Sequence, residues 1–184
     1  MANFTKKAIK ASFIKLLNER PMNKISVKDI VEDCGINRNS FYYHFQDIPA
    51  LLEEIVTENT VEIIKKYPEI DSIDAAFHAA FSFAEENRRA AYHIYNSVNR
   101  DAFERELMKI CQSVVSTYVD TAFGETNVSE KDREIVLRFI KSEFFGLIID
   151  WLNCGMKDEA LDDLLRITEL CRGMSEELIK RSTK

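Results

Sequence analysis

Apolar residues recur at spacings of three and four positions along almost the whole chain, which is the pattern of amphipathic helices. The first such segment covers residues 4–20 and carries lysines on its other face. Pro21 ends it, because proline has no N–H to continue the helical hydrogen-bond ladder. No alternating apolar and polar run is long enough for a strand, so the chain is predicted to be all-α.

Capping residues mark the starts of the next helices. Ser26 is followed three positions later by Asp29, which approximates a capping box, and Gly35 favours a helix end just before it. Asn37 and Asp47 are placed to cap the following two helices. About nine helices are predicted, over residues 4–20, 26–34, 38–45, 47–66, 72–87, 89–97, 100–123, 130–154 and 159–181.

The helix pattern divides the chain into two predicted domains. Residues 1–46 hold three short helices, and residues 47–184 form a helical domain that begins with a long fourth helix. Residues 1–50 contain eight Lys or Arg against five Asp or Glu, whereas the net charge of the whole chain is −6. A positive excess at one end indicates a polyanionic partner there. The alternative is a chance fluctuation, which also produces an excess of this size in a short segment.

The composition disfavours several classes of protein. The longest run without a charged residue is ten positions, against the roughly 20 that a membrane span needs. Lysines interrupt the N-terminal apolar positions, so we expect no signal peptide and a soluble, cytoplasmic protein. The nearest two of the four cysteines are 17 residues apart, so no metal site and no cofactor are expected. Phosphate-binding loops and common hydrolase motifs are absent from the sequence, so an enzyme is not expected.

Residues 26–45 have the pattern of a helix-turn-helix unit, with a turn of about three residues that contains Gly35. In such a unit the first helix packs across the DNA backbone, and the second lies in the major groove. Five apolar residues are placed to hold the pair together: Val27, Ile30, Val31, Ile36 and Phe41. The second helix carries side chains that suit bases and phosphates: Arg38, Asn39, Ser40, Tyr42, Tyr43 and His44. The alternative is an ordinary solvated face, but this crowding behind a tight turn favours DNA recognition.

Residues 4–52 resemble the DNA-binding domain of the TetR family of transcriptional regulators. The resemblance rests on the amphipathic first helix and on four strings: Ser-Val-Lys-Asp-Ile-Val over residues 26–31, Cys-Gly-Ile over 34–36, Arg-Asn-Ser-Phe-Tyr-Tyr-His-Phe over 38–45 and Asp-Ile-Pro-Ala-Leu-Leu over 47–52. A further resemblance, to regulators of dihydroxyacetone kinase operons, rests on the aromatic string at 41–45 and on Asp150-Trp151-Leu152 followed by Gly155-Met156. Beyond residue 52, the shared features are the helical layout and the length.

The resemblance implies a role for each matching residue. Arg38, Asn39 and Ser40 match base-reading positions. Tyr42 and His44 match phosphate contacts, and Tyr43 matches a contact to phosphate or sugar. The predicted DNA-binding residues are Ser26 and Lys28 from the preceding helix together with Asn37, Arg38, Asn39, Ser40, Tyr42, Tyr43 and His44. Ile48 departs from the pattern, because many members have lysine there, so backbone N–H groups alone must make that phosphate contact.

The resemblance also implies a homodimer that binds a palindromic double-stranded DNA operator, most often as a repressor that an effector releases. Residues 139–152 are apolar all round their helix, and such a helix must be buried on every side, which usually requires a second chain. The predicted dimer-interface residues are Phe144, Leu147, Ile148, Trp151, Leu164 and Leu170. The alternative is that they form the core of a monomer.

Aromatic side chains concentrate in the middle helices. In this family such residues often line an effector cavity, and the predicted pocket residues are Phe77, Phe81, Tyr92, Tyr95, Phe103 and Tyr118. The alternative is ordinary core. The effector is either an unidentified small molecule or a protein partner, and the second version suits an activator or co-regulator. His78 and His93 have no cysteine or carboxylate at metal-ligand spacing, so they are expected to be hydrogen-bonded or solvated.

Overall fold

The computed structural model of the chain describes residues 2–66, 87–124, 128–171 and 173–182. Throughout these residues the structure is helical, with no strand, which confirms the predicted all-α class. The elements of this part are, in order, α1 Ala2–Glu19, the 3-10 helix η1 Met22–Lys24, α2 Val27–Asp33, α3 Arg38–His44, α4 Ile48–Lys66, α5 Arg88–Tyr95, α6 Arg100–Phe123, α7 Glu130–Asn153, α8 Asp158–Leu170 and α9 Met174–Ser182. The helix predicted over residues 72–87 lies outside the described residues, apart from Asn87.

The end of the chain differs from the prediction, because the single helix expected over residues 159–181 is two helices, α8 and α9. Gly173 adopts φ +87°, a left-handed conformation that an α-helix does not contain. The Cys171 N–H still donates to the Ile167 carbonyl, and the Met174 N–H to the Cys171 carbonyl. A glycine between two helical patterns is therefore a helix end here.

Two compact units form in the chain, and the first consists of Met1–Asn59 and Asn87–Glu106. Within it α1 packs with α2, α3 and α5, and its residues Ile9, Phe13 and Leu17 are fully buried. α5 contributes Ala90 and Ile94 to the same apolar core. The unit that holds the helix-turn-helix is therefore larger than residues 1–46. The functional boundary after residue 46 stays a prediction.

The second unit contains, among the described residues, the end of α4 and the chain from residue 107 onward. α7 packs with both α8 and α9 and buries Phe144, Ile148 and Trp151. The turn after α7 is fixed by Met156, which is fully buried although its backbone has φ 55°. No described helix is long and apolar enough to cross a membrane.

The cysteines of the second unit differ in burial. Burial raises the pKa of the Cys111 thiol to about 12, whereas Cys154 and Cys171 are exposed. Because the thiolate is the reactive species, we expect iodoacetamide at pH 8 to modify the two exposed cysteines at least about a hundredfold faster than Cys111. Peptide mass spectrometry measures the three rates, and denaturant should equalise them. Equal rates in the folded chain would contradict this packing.

Candidate nucleic-acid interface

The start of α2 is fixed by a reciprocal cap between Ser26 and Asp29. The Asp29 N–H donates to the Ser26 hydroxyl oxygen at 3.3 Å, and the Ser26 N–H donates to the Asp29 carboxylate at 2.8 Å. Hydrogen bonds from the Ser26 hydroxyl and backbone hold the pKa of Asp29 below its usual range. The predicted capping box is therefore confirmed, and Ser26 is engaged in holding its own helix.

The turn between α2 and α3 depends on Gly35, which has φ +68°. The Cys34 N–H donates to the Ile30 carbonyl, and the Ile36 N–H donates to the Val31 carbonyl at 3.0 Å. This pairing satisfies the last carbonyls of α2 with a left-handed residue, which glycine adopts at little cost.

The inward face of α3 is held by Phe41, which is fully buried together with Ile30 and Phe45 in the core of the first unit. The Ser12 hydroxyl of α1 also donates to the Ile30 carbonyl at 3.3 Å, so α1 and α2 are joined by a buried hydrogen bond. Because these contacts fix one side of α3, they also determine which side chains point away from the core.

The outward face of α3 presents Arg38, Asn39, Tyr42 and Tyr43, all of which are exposed. Tyr43 is 80% exposed, and its ring meets the half-buried His44 ring edge-on at 5.0 Å. The side chains of Arg38 and Asn39 form no hydrogen bond or ion pair within the described part of the chain, so their polar groups are available to a ligand. Guanidinium and amide groups in this situation suit the bidentate recognition of base edges.

Two further predicted DNA-binding residues, Asn37 and Ser40, are committed to the cap of α3. The Asn37 Oδ1 atom accepts from the Ser40 N–H at 2.8 Å and from the Ser40 hydroxyl at 3.1 Å. This arrangement leaves the Asn37 Nδ2 donors for an outside acceptor. The two residues therefore shape the helix start before they contact any ligand.

Ion pairs neutralise much of the positive charge of residues 1–50. Lys6 and Lys10 of α1 pair with Glu54 of α4, and Lys10 also pairs with Glu58. Lys15 pairs with Asp33, and Arg20 pairs with Asp29. In the described residues of this segment, the cations left without an ion pair are Lys7, Lys24 and Arg38, while Lys28 has a loose exposed contact of 3.7 Å with Glu32. The charge available to a polyanion is therefore much smaller than the eight basic residues suggest.

The start of α4 offers less to a phosphate than the sequence predicts. Asp47 accepts the Ala50 N–H on its carboxylate at 2.8 Å and the Leu51 N–H on its carbonyl at 3.2 Å. Pro49 has no N–H to contribute. The Asp47 carboxylate already accepts one N–H of this turn, so fewer backbone N–H groups are left for a phosphate at the position where many members have lysine.

The predicted effector-pocket residues do not lie together in one compact unit. Tyr92, Tyr95 and Phe103 belong to the first unit, and the buried Tyr118 belongs to the second. Tyr95 packs edge-on against Phe103 with the rings 6.3 Å apart, and the Arg100 guanidinium lies 4.1 Å from the centre of the Tyr95 ring. Phe77 and Phe81 lie outside the described residues.

The predicted dimer residues separate into covered and exposed groups. Phe144, Ile148, Trp151 and Leu164 are each at most 3% exposed within a single chain, Leu147 is half-buried and Leu170 is 67% exposed. An apolar groove of about 160 Å³ lies between α7 and the last two helices, lined by Phe139, Phe144, Leu147, Ile167, Met174 and Leu178 among others. Phe139, Ile167 and Met174 were not among the interface residues named from the sequence, although Ile167 and Met174 lie on the apolar face of the last predicted helix. Phe139 was detectable only as part of the all-apolar range 139–152.

A helix-turn-helix whose second helix projects Arg and Asn side chains without a partner among the described residues, in a chain whose described elements are all helices, is typical of DNA-binding transcriptional regulators. The family described as "Bacterial regulatory proteins, tetR family" matches residues 12–55, and a TetR family described as "Transcriptional regulator C-terminal region" matches residues 71–173. The second match spans more than half of the chain. The chain belongs to the TetR family of transcriptional regulators.

Individual relatives agree with this assignment. The chain is 22% identical over 154 residues to the "Uncharacterized HTH-type transcriptional regulator YxbF" of Bacillus subtilis (strain 168). That alignment covers 79% of this chain and spans 39% of the length of the relative. The solved structure named "Dihydroxyacetone kinase operon activator DhaS" is similar with a TM-score of 0.68 and 18% identity, over 90% of this chain and 97% of that one. Salmonella enterica GusR is similar with a TM-score of 0.61 and 16% identity, over 96% and 95% of the two chains. The two structures share the fold of this chain.

Proposed function

We propose that this regulator binds a pseudo-palindromic operator as a homodimer and represses transcription until an effector releases it. The observation that carries the proposal is the exposed set Arg38, Asn39, Tyr42 and Tyr43 on a helix whose other side is fixed by buried Phe41. In this arrangement Arg38 and Asn39 contact bases, while Tyr42, Tyr43 and His44 contact phosphate or sugar. Lys28 and the free Asn37 Nδ2 donors add contacts to the DNA backbone.

Selection from a random pool of 30-base-pair duplexes tests operator binding. We expect an enriched sequence with two-fold symmetry, because an isologous dimer presents the same helix to each half-site. If Lys7, Lys24 and Lys28 all contact phosphate, the logarithm of affinity against that of salt concentration has a slope no steeper than about −5 for the dimer. Fluorescence anisotropy measures this slope. No enriched sequence, or an affinity that salt does not change, would contradict the proposal.

We propose a second copy of the chain as the occupant of the apolar surface around α7. Phe139 is 45% exposed, and Leu170 and Met174 are more than half exposed. Gly146, also exposed, has open space around the position where a side chain would begin. A glycine in the middle of a helix lowers the stability of that helix. A partner helix that approaches the backbone closely at this point would explain why glycine is present.

The proposal has two versions, which differ in the kind of effector that the regulator binds. The first is a small molecule held by the predicted aromatic residues, which must bind the arrangement that does not fit DNA more tightly. The second is a protein partner, as in an activator or co-regulator. The packing of Tyr95 between Phe103 and Arg100 favours this second version, because that ring already has a structural role. DhaS, which shares the fold, is itself named an activator.

Thermal stability across a metabolite panel separates the two versions, because a small ligand raises the melting temperature by mass action. A metabolite that both stabilises the chain and releases the selected duplex would support the small-molecule version.

We also propose that the protein is not an enzyme, needs no cofactor and acts in the cytoplasm, where its DNA partner is found. Its action then consists of binding alone.

A further inference from the structure

The last turn of α1 contains a carbonyl group that the helix itself cannot satisfy. The Leu16 carbonyl accepts the Arg20 N–H at 2.9 Å, as an α-helix requires. The next carbonyl, that of Leu17, should accept from residue 21. Residue 21 is proline, which has no N–H, so an outside donor is needed.

His93 of α5 supplies that donor. Its Nδ1 atom lies 2.6 Å from the Leu17 carbonyl oxygen, and the contact is partly buried. A carbonyl oxygen only accepts hydrogen bonds, so Nδ1 carries the hydrogen. The two residues are 76 positions apart in the chain.

The surroundings make this hydrogen bond part of a wider contact between α5 and α1. Ala90 and Ile94, on the same side of α5, are buried in the core that contains Leu16 and Leu17. Asn99, in the turn after α5, donates from its side-chain amide to the Met22 sulfur at 3.6 Å. Two polar contacts therefore reach the segment between residues 17 and 22 from α5 and its following turn.

We propose that His93 is a positioning residue for DNA binding, which holds the end of α1 and through it the orientation of α2 and α3. The inference rests on the proposed operator binding. α1 packs directly on α2 and α3, and Ser12 joins it to Ile30. A looser end of α1 allows the reading helix more orientations, and binding must then restrict them.

Three variants of the full chain test the proposal. His93→Leu removes the donor at similar volume, whereas His93→Asn keeps an N–H donor at the equivalent atom. Asn96→Ala is the matched control, because it removes a side-chain bond of 2.9 Å to the Tyr92 carbonyl within the end of α5. The probes are the duplex that the unmodified chain selects from the random pool and an unselected duplex of equal length.

We expect His93→Leu to weaken binding of the selected duplex about tenfold at a temperature where circular dichroism shows it folded, since a buried acceptor loses its partner. His93→Asn and Asn96→Ala should stay within about twofold of the unmodified chain. Retained affinity in His93→Leu, even with a lower melting temperature, overturns the proposal. The proposal is also overturned if His93→Asn loses as much affinity for the selected duplex as His93→Leu.

Amide hydrogen exchange provides a measurement that does not depend on DNA. In His93→Leu we expect faster exchange in peptides from residues 12–20, and in Asn96→Ala no change there. If the random pool yields no enriched sequence, the proposed operator binding is wrong. Amide hydrogen exchange then still shows whether His93 holds the end of α1. Unchanged exchange in His93→Leu overturns the inference in either case.

Discussion

Replacing Phe139 with glutamate is expected to convert the proposed dimer into monomers without unfolding the chain. Phe139 lies on the exposed face of α7 at the edge of the apolar groove, and it is 45% exposed in a single chain. A carboxylate there becomes an unpaired charge in a dry interface, which costs about 3–5 kcal/mol in each protomer. The dissociation constant should rise by at least about a hundredfold.

Sedimentation velocity over a concentration series, with circular dichroism alongside, measures both association and folding. Val98→Glu is the control, because Val98 is an exposed apolar residue outside the groove, at 99% exposure. It should leave association unchanged. Phe144→Glu is a poor probe, since Phe144 is 1% exposed within one chain and its replacement should unfold the second unit. A stable monomer of the unmodified chain at micromolar concentration would refute the dimer.

Replacing Asn39 with alanine is expected to remove sequence preference at one base pair in each half-site. An amide that pairs with adenine contributes about 1–3 kcal/mol of discrimination, and a dimer uses it twice. Asn39 is exposed, at the N-terminal end of α3, and has no partner in the described part of the chain, so the substitution leaves the fold unchanged. Total affinity for unselected duplexes should change little.

Tyr42→Phe and His44→Ala are the matched comparison, because they alter predicted phosphate contacts on the same helix. Both should weaken all sequences about equally, since phosphate contacts carry no sequence information. Repeating the selection with each variant gives the preference at every position. If His44→Ala altered the preferred bases while Asn39→Ala did not, the assignment of base-reading and phosphate-contacting residues would be wrong.

Local features of the fold were predictable because they depend on residues close together in the chain. The caps at Ser26, Asn37 and Asp47 form as their spacing suggests, each accepting an N–H three residues later. The exposed face of α3 follows from helical periodicity once Phe41 is recognised as its apolar anchor. Family resemblance added roles for these side chains, which periodicity alone does not contain.

The exposed apolar surface around α7 was less predictable, because a hydrophobic pattern does not show what covers each face. Phe144, Ile148, Trp151 and Leu164 are covered by their own chain. Phe139, Ile167 and Met174 have the same apolar character yet remain more than a third exposed. The distinction depends on how α8 and α9 pack with α7, and therefore on where Gly173 ends one helix and begins the next.

Local patterns were enough to predict the caps and the helix-turn-helix of residues 26–45, because hydrogen bonds and apolar contacts within a few residues decide them. Packing between distant helices was needed to place His93 at the end of α1 and to pair Lys6 and Lys10 with Glu54. The hydrogen bond to the Leu17 carbonyl, next to Pro21, shows why these contacts could not be predicted. The sequence reveals that the Leu17 carbonyl has lost its local donor, but a replacement 76 residues away is chosen by packing, which no local pattern encodes.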